Sequence, residues 1–141
     1  MGTSKTSPST NLVYSWAHSR GKMSASRESH LAVLACLTDS WFLSSFPEIT
    51  PVAAGANAKN IGFMVTLNHT IWFHDPDVRL DEWLFIERGS SWAANGRCLM
   101  EQRIWGQNSK LVATCVQEGV VRLKKPRAEK KESQDSSDSK L

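Results

Sequence analysis

Apolar residues recur at helical spacing in the segment that follows Ser26. The members of this stripe are Leu31, Leu34, Ala35 and Phe42, with the small polar residue Thr38 at the same spacing. Such a recurrence is typical of a helix that buries one face. Ser24 or Ser26 can cap its first turn, where Glu28 is also favourable. The pattern predicts a helix from Ser26 to about Leu43, followed by a long loop from Pro47 to Asn60 that is rich in Ala, Gly, Asn and Pro.

The second half of the chain alternates apolar and polar positions, as strands do. One predicted face of the first strand holds Phe63, Val65, Leu67, His69, Ile71 and Phe73, and the other holds Met64, Thr66, Asn68, Thr70, Trp72 and His74. Further strands are predicted at Glu82 to Ala93, Arg97 to Trp105 and Lys110 to Leu123, and Asn95-Gly96 is typical of a tight hairpin turn. One helix followed by at least four antiparallel strands predicts the α+β class.

Both ends of the chain are polar and carry no apolar cluster. The sequence therefore predicts a disordered tail at residues 1–11, a folded domain at 12–123 and a flexible charged tail at 124–141. The net charge is +3, but residues 1–30 and 124–141 hold ten of the seventeen Lys and Arg residues and five of the fourteen Asp and Glu residues. The centre is slightly acidic, so no nucleic-acid partner is expected. No apolar run is long enough to span a membrane.

Cysteine and histidine positions argue against a metal site. Cys36, Cys98 and Cys115 are odd in number and include no closely spaced pair. With no apolar signal segment at the amino terminus, we expect reduced intracellular thiols that serve as small core residues. His69 and His74 are five residues apart on one strand, so they should face opposite ways and act as packing or hydrogen-bonding residues. The six tryptophans are expected in the core and at an interface rather than around a cofactor.

The chain ends in Ser139-Lys140-Leu141. This tripeptide at a free carboxyl terminus is bound by the peroxisomal import receptor. It follows a charged segment that would leave it accessible to that receptor. The ending predicts a peroxisomal protein and favours acyl-CoA and oxidative metabolism over other settings.

Three polar residues interrupt otherwise apolar patterns. Asp39 follows Ala32, Ala35 and Cys36 on one strip of the predicted helix, Thr66 lies centrally in the first strand, and Gln117 lies in the last strand. A buried carboxylate requires hydrogen-bond donors, which a threonine hydroxyl and a glutamine amide can supply. Each residue also has a simpler explanation, since such an Asp or Gln is often solvated and Thr favours strands.

Several segments together carry a resemblance to a known family. They are Cys36-Leu37-Thr38-Asp39-Ser40-Trp41-Phe42-Leu43, Thr66-Leu67-Asn68-His69-Thr70-Ile71-Trp72-Phe73-His74, Asp81-Glu82-Trp83-Leu84, Val116-Gln117-Glu118-Gly119-Val120, and Ser15 to Met23 with its Arg20-Gly21 pair. From about Leu12 to Arg122, the chain resembles the bacterial acyl-CoA thioesterase II and peroxisomal acyl-CoA thioesterase family. The resemblance implies a hotdog fold, in which an antiparallel sheet wraps a long central helix.

The resemblance also implies roles for Asp39, Thr66 and Gln117, which would hold the hydrolytic water. Asp39 would act as the general base, while Thr66 and Gln117 would orient the water and stabilise developing charge. Direct attack by Thr66 is less favoured because the sequence shows no base beside it. A thioester carbonyl is already electrophilic, so a held and polarised water can attack it without a covalent enzyme intermediate. No cofactor and no metal are expected. The activity would be hydrolysis of an acyl-CoA in fatty-acid or secondary-metabolite metabolism.

The match departs from the family in length and at Asn68. Family members are about twice as long and contain two hotdog units, of which this chain resembles the second. We therefore expect it to form a homodimer or to pair with another hotdog chain. Asn68 replaces the usual Asp and is expected on the same strand face as Thr66. Because of these departures, a non-catalytic module that binds acyl-CoA or a full-length thioesterase is the alternative function, and a hotdog hydratase ranks last.

Overall fold

The computed structural model describes residues 11–24, 26–50 and 60–124. The predicted disordered tail lies outside these ranges except for Asn11, and the predicted charged tail lies outside them except for Lys124. Most of the loop predicted at Pro47 to Asn60 and the whole of Ser139-Lys140-Leu141 are also outside the described residues. Among the described residues, no helix is both long enough and apolar enough to cross a membrane.

The described residues form one antiparallel sheet with a helix against it. In chain order the elements are β1 (Val13–Ala17), α1 (Arg27–Asp39), a 3₁₀ turn (Leu43–Ser45), α2 (Phe46–Ile49), β2 (Ile61–Phe73), β3 (Leu84–Ala94), β4 (Arg97–Trp105) and β5 (Leu111–Leu123). The strand order is β1-β3-β4-β5-β2, which places β1 and β2 at the two edges. The α+β prediction and the four predicted strands are confirmed, with ends that shift by no more than two residues.

The helix begins as predicted but ends early. Ser26 Oγ accepts a hydrogen bond from the Ser29 N–H, which caps the first turn of α1. α1 ends at Asp39 because Ser40 has an extended backbone and Trp41 has a φ of 55°. The predicted end near Leu43 is therefore wrong. The predicted start of the loop is also wrong, because Pro47 lies in the first turn of α2, where its missing N–H removes no helical hydrogen bond.

Strand β1 is absent from the sequence-based prediction. It pairs with β3, so that Val13 lies opposite Arg88 and Ala17 lies opposite Leu84. Its alternation of partly buried and exposed residues is visible over only five positions. So short a segment owes its strand conformation to pairing with β3, which is distant in the chain.

A bulge in β2 changes which residues share a face. Thr66 pairs with Gly119 and Asn68 pairs with Glu118, so Leu67 has no opposite residue in β5. This extra residue reverses the alternation beyond it. Two predictions are therefore wrong. Val65 lies on the opposite face from His69, and Asn68 lies on the opposite face from Thr66.

Two clusters of buried apolar side chains lie on the helix side of the sheet. The first contains Leu34 of α1 with residues of β3, β4, β5 and the segment before β3, and the second contains Phe42, Phe46 and Ile49 with residues of β4 and β5. Cys98 and Cys115 belong to the second cluster, as predicted, whereas Cys36 is exposed and is not a core residue. None of the six tryptophans is buried, so their predicted place in the core is wrong.

Candidate active site

Three elements of the fold converge at the carboxyl end of α1. Asp39 is the last residue of this helix, Thr66 lies in β2, and Gln117 lies in the adjacent β5. Gly119 is opposite Thr66, and a Cβ atom there would come within 2.5 Å of Cδ1 of Leu43. The glycine thus allows the segment that follows α1 to approach the sheet beside Thr66. The helix end and the two strands are held together by this packing.

The Gln117 side chain joins the other two residues. Its Nε2 donates to Asp39 Oδ1 at 2.9 Å and to Thr66 Oγ1 at 2.9 Å. An ionised carboxylate only accepts hydrogen bonds, so the amide must present its nitrogen to Asp39. The structure therefore brings together all three residues that the sequence had singled out.

The three side chains differ in which of their hydrogen-bond donors and acceptors are already used within the cluster. A glutamine amide has two N–H hydrogens, and here one goes to Asp39 and the other to Thr66. Gln117 Oε1 is buried and accepts no hydrogen bond from the described residues. Thr66 Oγ1 already accepts from Gln117, so its own hydroxyl hydrogen is free to donate. Asp39 likewise keeps Oδ2 as an acceptor.

Exposure differs sharply within the cluster. Gln117 is fully buried, whereas the Asp39 side chain is 63% exposed. The predicted apolar strip before Asp39 is also open to solvent, because Ala32 and Cys36 are exposed. The expectation of a buried carboxylate is therefore wrong. Its exposed position lets the Asp39 carboxylate contact a water molecule, while the buried Gln117 side chain donates a hydrogen bond to the same carboxylate.

His69 lies beside this cluster, and it makes a polar contact, in line with the packing or hydrogen-bonding role expected from the sequence. Its Nδ1 lies 3.9 Å from Asp39 Oδ1, and its Nε2 lies 2.8 Å from the Sγ of Cys115. His74 instead contacts the Thr114 hydroxyl at 2.9 Å on the other face of the sheet, so the predicted opposite orientation of the two histidines is confirmed. The only sequence signal for His69 was its closeness to Thr66, and plain alternation placed the two on opposite faces.

The thiols near the site are held in their neutral form. Burial, and secondarily the charge of Asp39, raises the pKa of Cys115 to about 12. Burial is also the main cause that raises the pKa of Cys98 to about 11. A protonated thiol is a poor nucleophile, so neither cysteine is suited to attack a thioester at neutral pH. In the described ranges, no three His, Cys, Asp or Glu side chains group closely enough to hold a metal ion.

Comparison with known proteins identifies the family and the fold of this chain. Residues 1–121 match the family model described as "Acyl-CoA thioesterase C-terminal domain". The chain belongs to this family. Its fold is the hotdog fold predicted from the resemblance, as the match to a related crystal structure shows. That structure is the acyl-CoA thioesterase II TesB2 from Mycobacterium marinum, with a TM-score of 0.71 and 28% identity over 82% of this chain and 44% of the other.

Two relatives in sequence are similar over most of the chain. Acyl-coenzyme A thioesterase 8 of Homo sapiens is 36% identical over 117 residues, which cover 82% of this chain and 35% of the relative. Acyl-CoA thioesterase 2 of Haemophilus influenzae is 31% identical over 110 residues, which cover 78% of this chain and 37% of the relative. The chain therefore spans little more than a third of the length of these curated relatives.

Proposed function

We propose that this chain hydrolyses an acyl-CoA thioester to a free carboxylic acid and CoA. The proposal rests above all on the hydrogen bonds from Gln117 Nε2 to Asp39 and Thr66, which assemble a base and a hydroxyl donor at one solvent-accessible point. Membership of the acyl-CoA thioesterase C-terminal domain family supplies the substrate class.

The reaction needs one proton acceptor and one hydrogen-bond donor. Asp39 Oδ2 accepts a proton from water while the water oxygen forms a bond to the thioester carbonyl carbon. A positioned general base of this kind contributes about 10²–10⁴-fold in rate. The Thr66 hydroxyl donates to the oxygen that gains negative charge. The C–S bond then breaks, and the proton on Asp39 passes to the departing CoA sulfur.

In this scheme Gln117 is a positioning residue. Both of its amide hydrogens are bound by Asp39 and Thr66, and its Oε1 is buried. It therefore has no N–H left for the reacting oxygen. This differs from the role that the resemblance implied, in which Gln117 contacts the water directly.

Thiol release by the purified chain against acyl-CoAs of graded acyl length tests the activity. The Cys36 thiol is exposed, so any reaction of this thiol with the assay reagent is measured before substrate is added. Turnover that depends on Asp39 supports the proposal. Absence of turnover with every acyl length contradicts it for the chain alone.

The alternative function is binding without turnover. It is favoured by the coverage of little more than a third of the curated relatives' length. Calorimetric titration with a non-hydrolysable acyl-CoA thioether separates the two functions. Binding that survives the change Asp39→Asn, in a chain that releases no thiol, would support the alternative.

The open edge at β2 supports pairing with a second copy or with another hotdog chain. Exposed apolar side chains line this strand: Phe63, Val65, Leu67, Trp72 and Phe73. An unpaired strand edge with such side chains is a ready surface for another strand. We expect light scattering to give a dimer mass of about 31 kDa, twice the 15.7 kDa of the chain.

Matched lysine variants at the two sheet edges test where this pairing occurs. Phe63 of β2 is 50% exposed and Tyr14 of β1 is 55% exposed. Phe63→Lys should shift the chain to monomer, whereas Tyr14→Lys should leave the dimer intact. A monomeric starting chain, or dissociation by Tyr14→Lys instead, would contradict pairing through β2.

We further propose that Ser139-Lys140-Leu141 directs the chain to the peroxisome through the import receptor. A fluorescent protein joined to the amino end should form peroxisomal puncta that disappear when these three residues are deleted. Asp138→Ala is the matched control because it leaves the tripeptide unchanged. Puncta that persist after the deletion would refute this localisation.

A further inference from the structure

His69 lies between two functional groups that the proposed mechanism treats separately. On one side its Nδ1 faces Asp39 Oδ1 at 3.9 Å, and on the other its Nε2 is 2.8 Å from Cys115 Sγ. The imidazole is four-fifths buried, with 21% of its side chain exposed. The contact with Cys115 and the burial of the ring limit its rotation, so each nitrogen keeps its own neighbour.

We propose that His69 is a positioning residue for Asp39, with its proton held on Nδ1 by the Cys115 thiol. This inference rests on the proposed thioesterase function, but its structural core, the position of the proton, can be measured without turnover. Neither His69 nor Cys115 touches the reacting atoms in this arrangement. Their effect on the reaction passes through the Asp39 carboxylate.

The neighbours of the ring favour one of its two neutral tautomers. If Nε2 carried the proton, Nδ1 would present a lone pair to a carboxylate, and two acceptors would face each other. If Nδ1 carries the proton, its N–H points at negative charge and the Cys115 S–H donates to Nε2. The second arrangement requires a thiol that stays protonated, and the burial that raises the pKa of Cys115 to about 12 provides it.

The Nδ1–H group has a directional effect on Asp39. At 3.9 Å it is too far for a direct hydrogen bond, so the interaction is the attraction of an N–H dipole for a charge. Both Gln117 and His69 act on the same oxygen, Oδ1. Oδ2 is then the oxygen that remains free for water. A carboxylate with 63% of its side chain exposed would otherwise rotate readily between the two orientations.

The β2 bulge is independent support for this role. Thr66 and His69 are three residues apart, so in a regular strand they would lie on opposite faces. The unpaired Leu67 brings both onto the helix side, opposite Gly119 and Gln117 respectively. Bulges next to active sites commonly re-aim a side chain in this way. Without the bulge, the ring could not stand beside Asp39 while Thr66 contacts Gln117.

Nitrogen NMR of the ¹⁵N-histidine-labelled full chain tests the proton position directly. The His69 signals are assigned by their loss in His69→Gln. We expect Nδ1–H in the starting protein at neutral pH, a weaker preference for Nδ1–H in Cys115→Ala, where only the Asp39 carboxylate still favours it, and the full preference in Cys115→Ser, whose hydroxyl can still donate to Nε2. An Nε2–H ring in the starting protein would overturn the proposal, whatever the activity of the chain.

Steady-state kinetics then tests the effect on Asp39. His69→Phe fills the site without polar atoms and should lower kcat by about 10- to 100-fold through misplacement of the base. KM should stay within about twofold if only the chemical step is affected. His69→Gln keeps an N–H donor and should recover most of the loss. An unchanged kcat in His69→Phe would make His69 a packing residue and refute the positioning role.

The NMR and kinetic experiments together distinguish failure of this inference from failure of the proposed function. A chain that releases no thiol but shows the Nδ1–H ring, sensitive to Cys115→Ala, supports the His69 arrangement and contradicts hydrolysis by the chain alone. A chain that turns over with an Nε2–H ring supports hydrolysis and overturns the inference.

Discussion

Asp39→Asn is expected to lower kcat for acyl-CoA hydrolysis by about 10²–10⁴-fold, the usual contribution of a general base. The asparagine side chain has the same size, and its oxygen can still accept the hydrogen bond from Gln117 Nε2. What it lacks is a lone pair basic enough to take a proton from water. The change therefore removes the proposed chemistry while keeping the local contacts. Thiol release at saturating substrate measures the effect.

Folding stability should be nearly unchanged in this variant, because the Asp39 side chain is mostly exposed. We expect the free energy of unfolding to stay within about 0.5 kcal/mol. Asp77→Asn is the matched control, since it makes the same chemical change on a side chain that is 71% exposed and pairs with Arg27 rather than with the site. Equal turnover in the two variants would remove Asp39 from the mechanism.

Gln117→Met should also abolish most of the activity, by a different route. Methionine fills a similar volume but cannot donate to Asp39 Oδ1 or Thr66 Oγ1. Both side chains then lose the donor that orients them, and kcat should fall by about 10²-fold, the loss that misplacement of a catalytic group can cause. Stability should hold or rise. The substitution eliminates Gln117 Oε1, a buried acceptor without a partner among the described residues, whose burial is unfavourable by about 1–3 kcal/mol.

Gln102→Met is the matched control, and we expect it to lower stability while turnover is retained. Gln102 is as fully buried as Gln117, and its Oε1 accepts a hydrogen bond from the buried Arg88 at 2.7 Å. Removing that acceptor leaves Arg88 Nε unpaired, so the free energy of unfolding should fall by about 1–3 kcal/mol. Turnover by the folded protein should remain. A loss of activity in Gln102→Met as large as in Gln117→Met would show that the assay reports folding rather than the site.

Interactions between residues close together in the sequence were sufficient to predict the main helix and four of the five strands among the described residues. Ser26 begins the helix because its side chain caps a backbone N–H three residues ahead, and that interaction needs no distant partner. The same holds for the Asn95-Gly96 turn, at which both residues have positive φ. β1 escaped prediction because five residues carry too little periodicity to stand out without β3 beside them.

The sequence by itself determined the candidate residues of the proposed site, because Asp39, Thr66 and Gln117 interrupt apolar patterns and lie in motifs that resemble one family. Only the tertiary structure decided how these residues are connected. Trp41 turns the chain out of α1 just after Asp39, and the Leu67 bulge brings His69 to the face of Thr66. The bulge is a shift in the pairing register between β2 and β5. The two acceptors of the Gln117 amide hydrogens are set by which side chains lie within hydrogen-bond distance of Gln117. Both depend on residues far apart in the chain, so neither can be obtained from local periodicity.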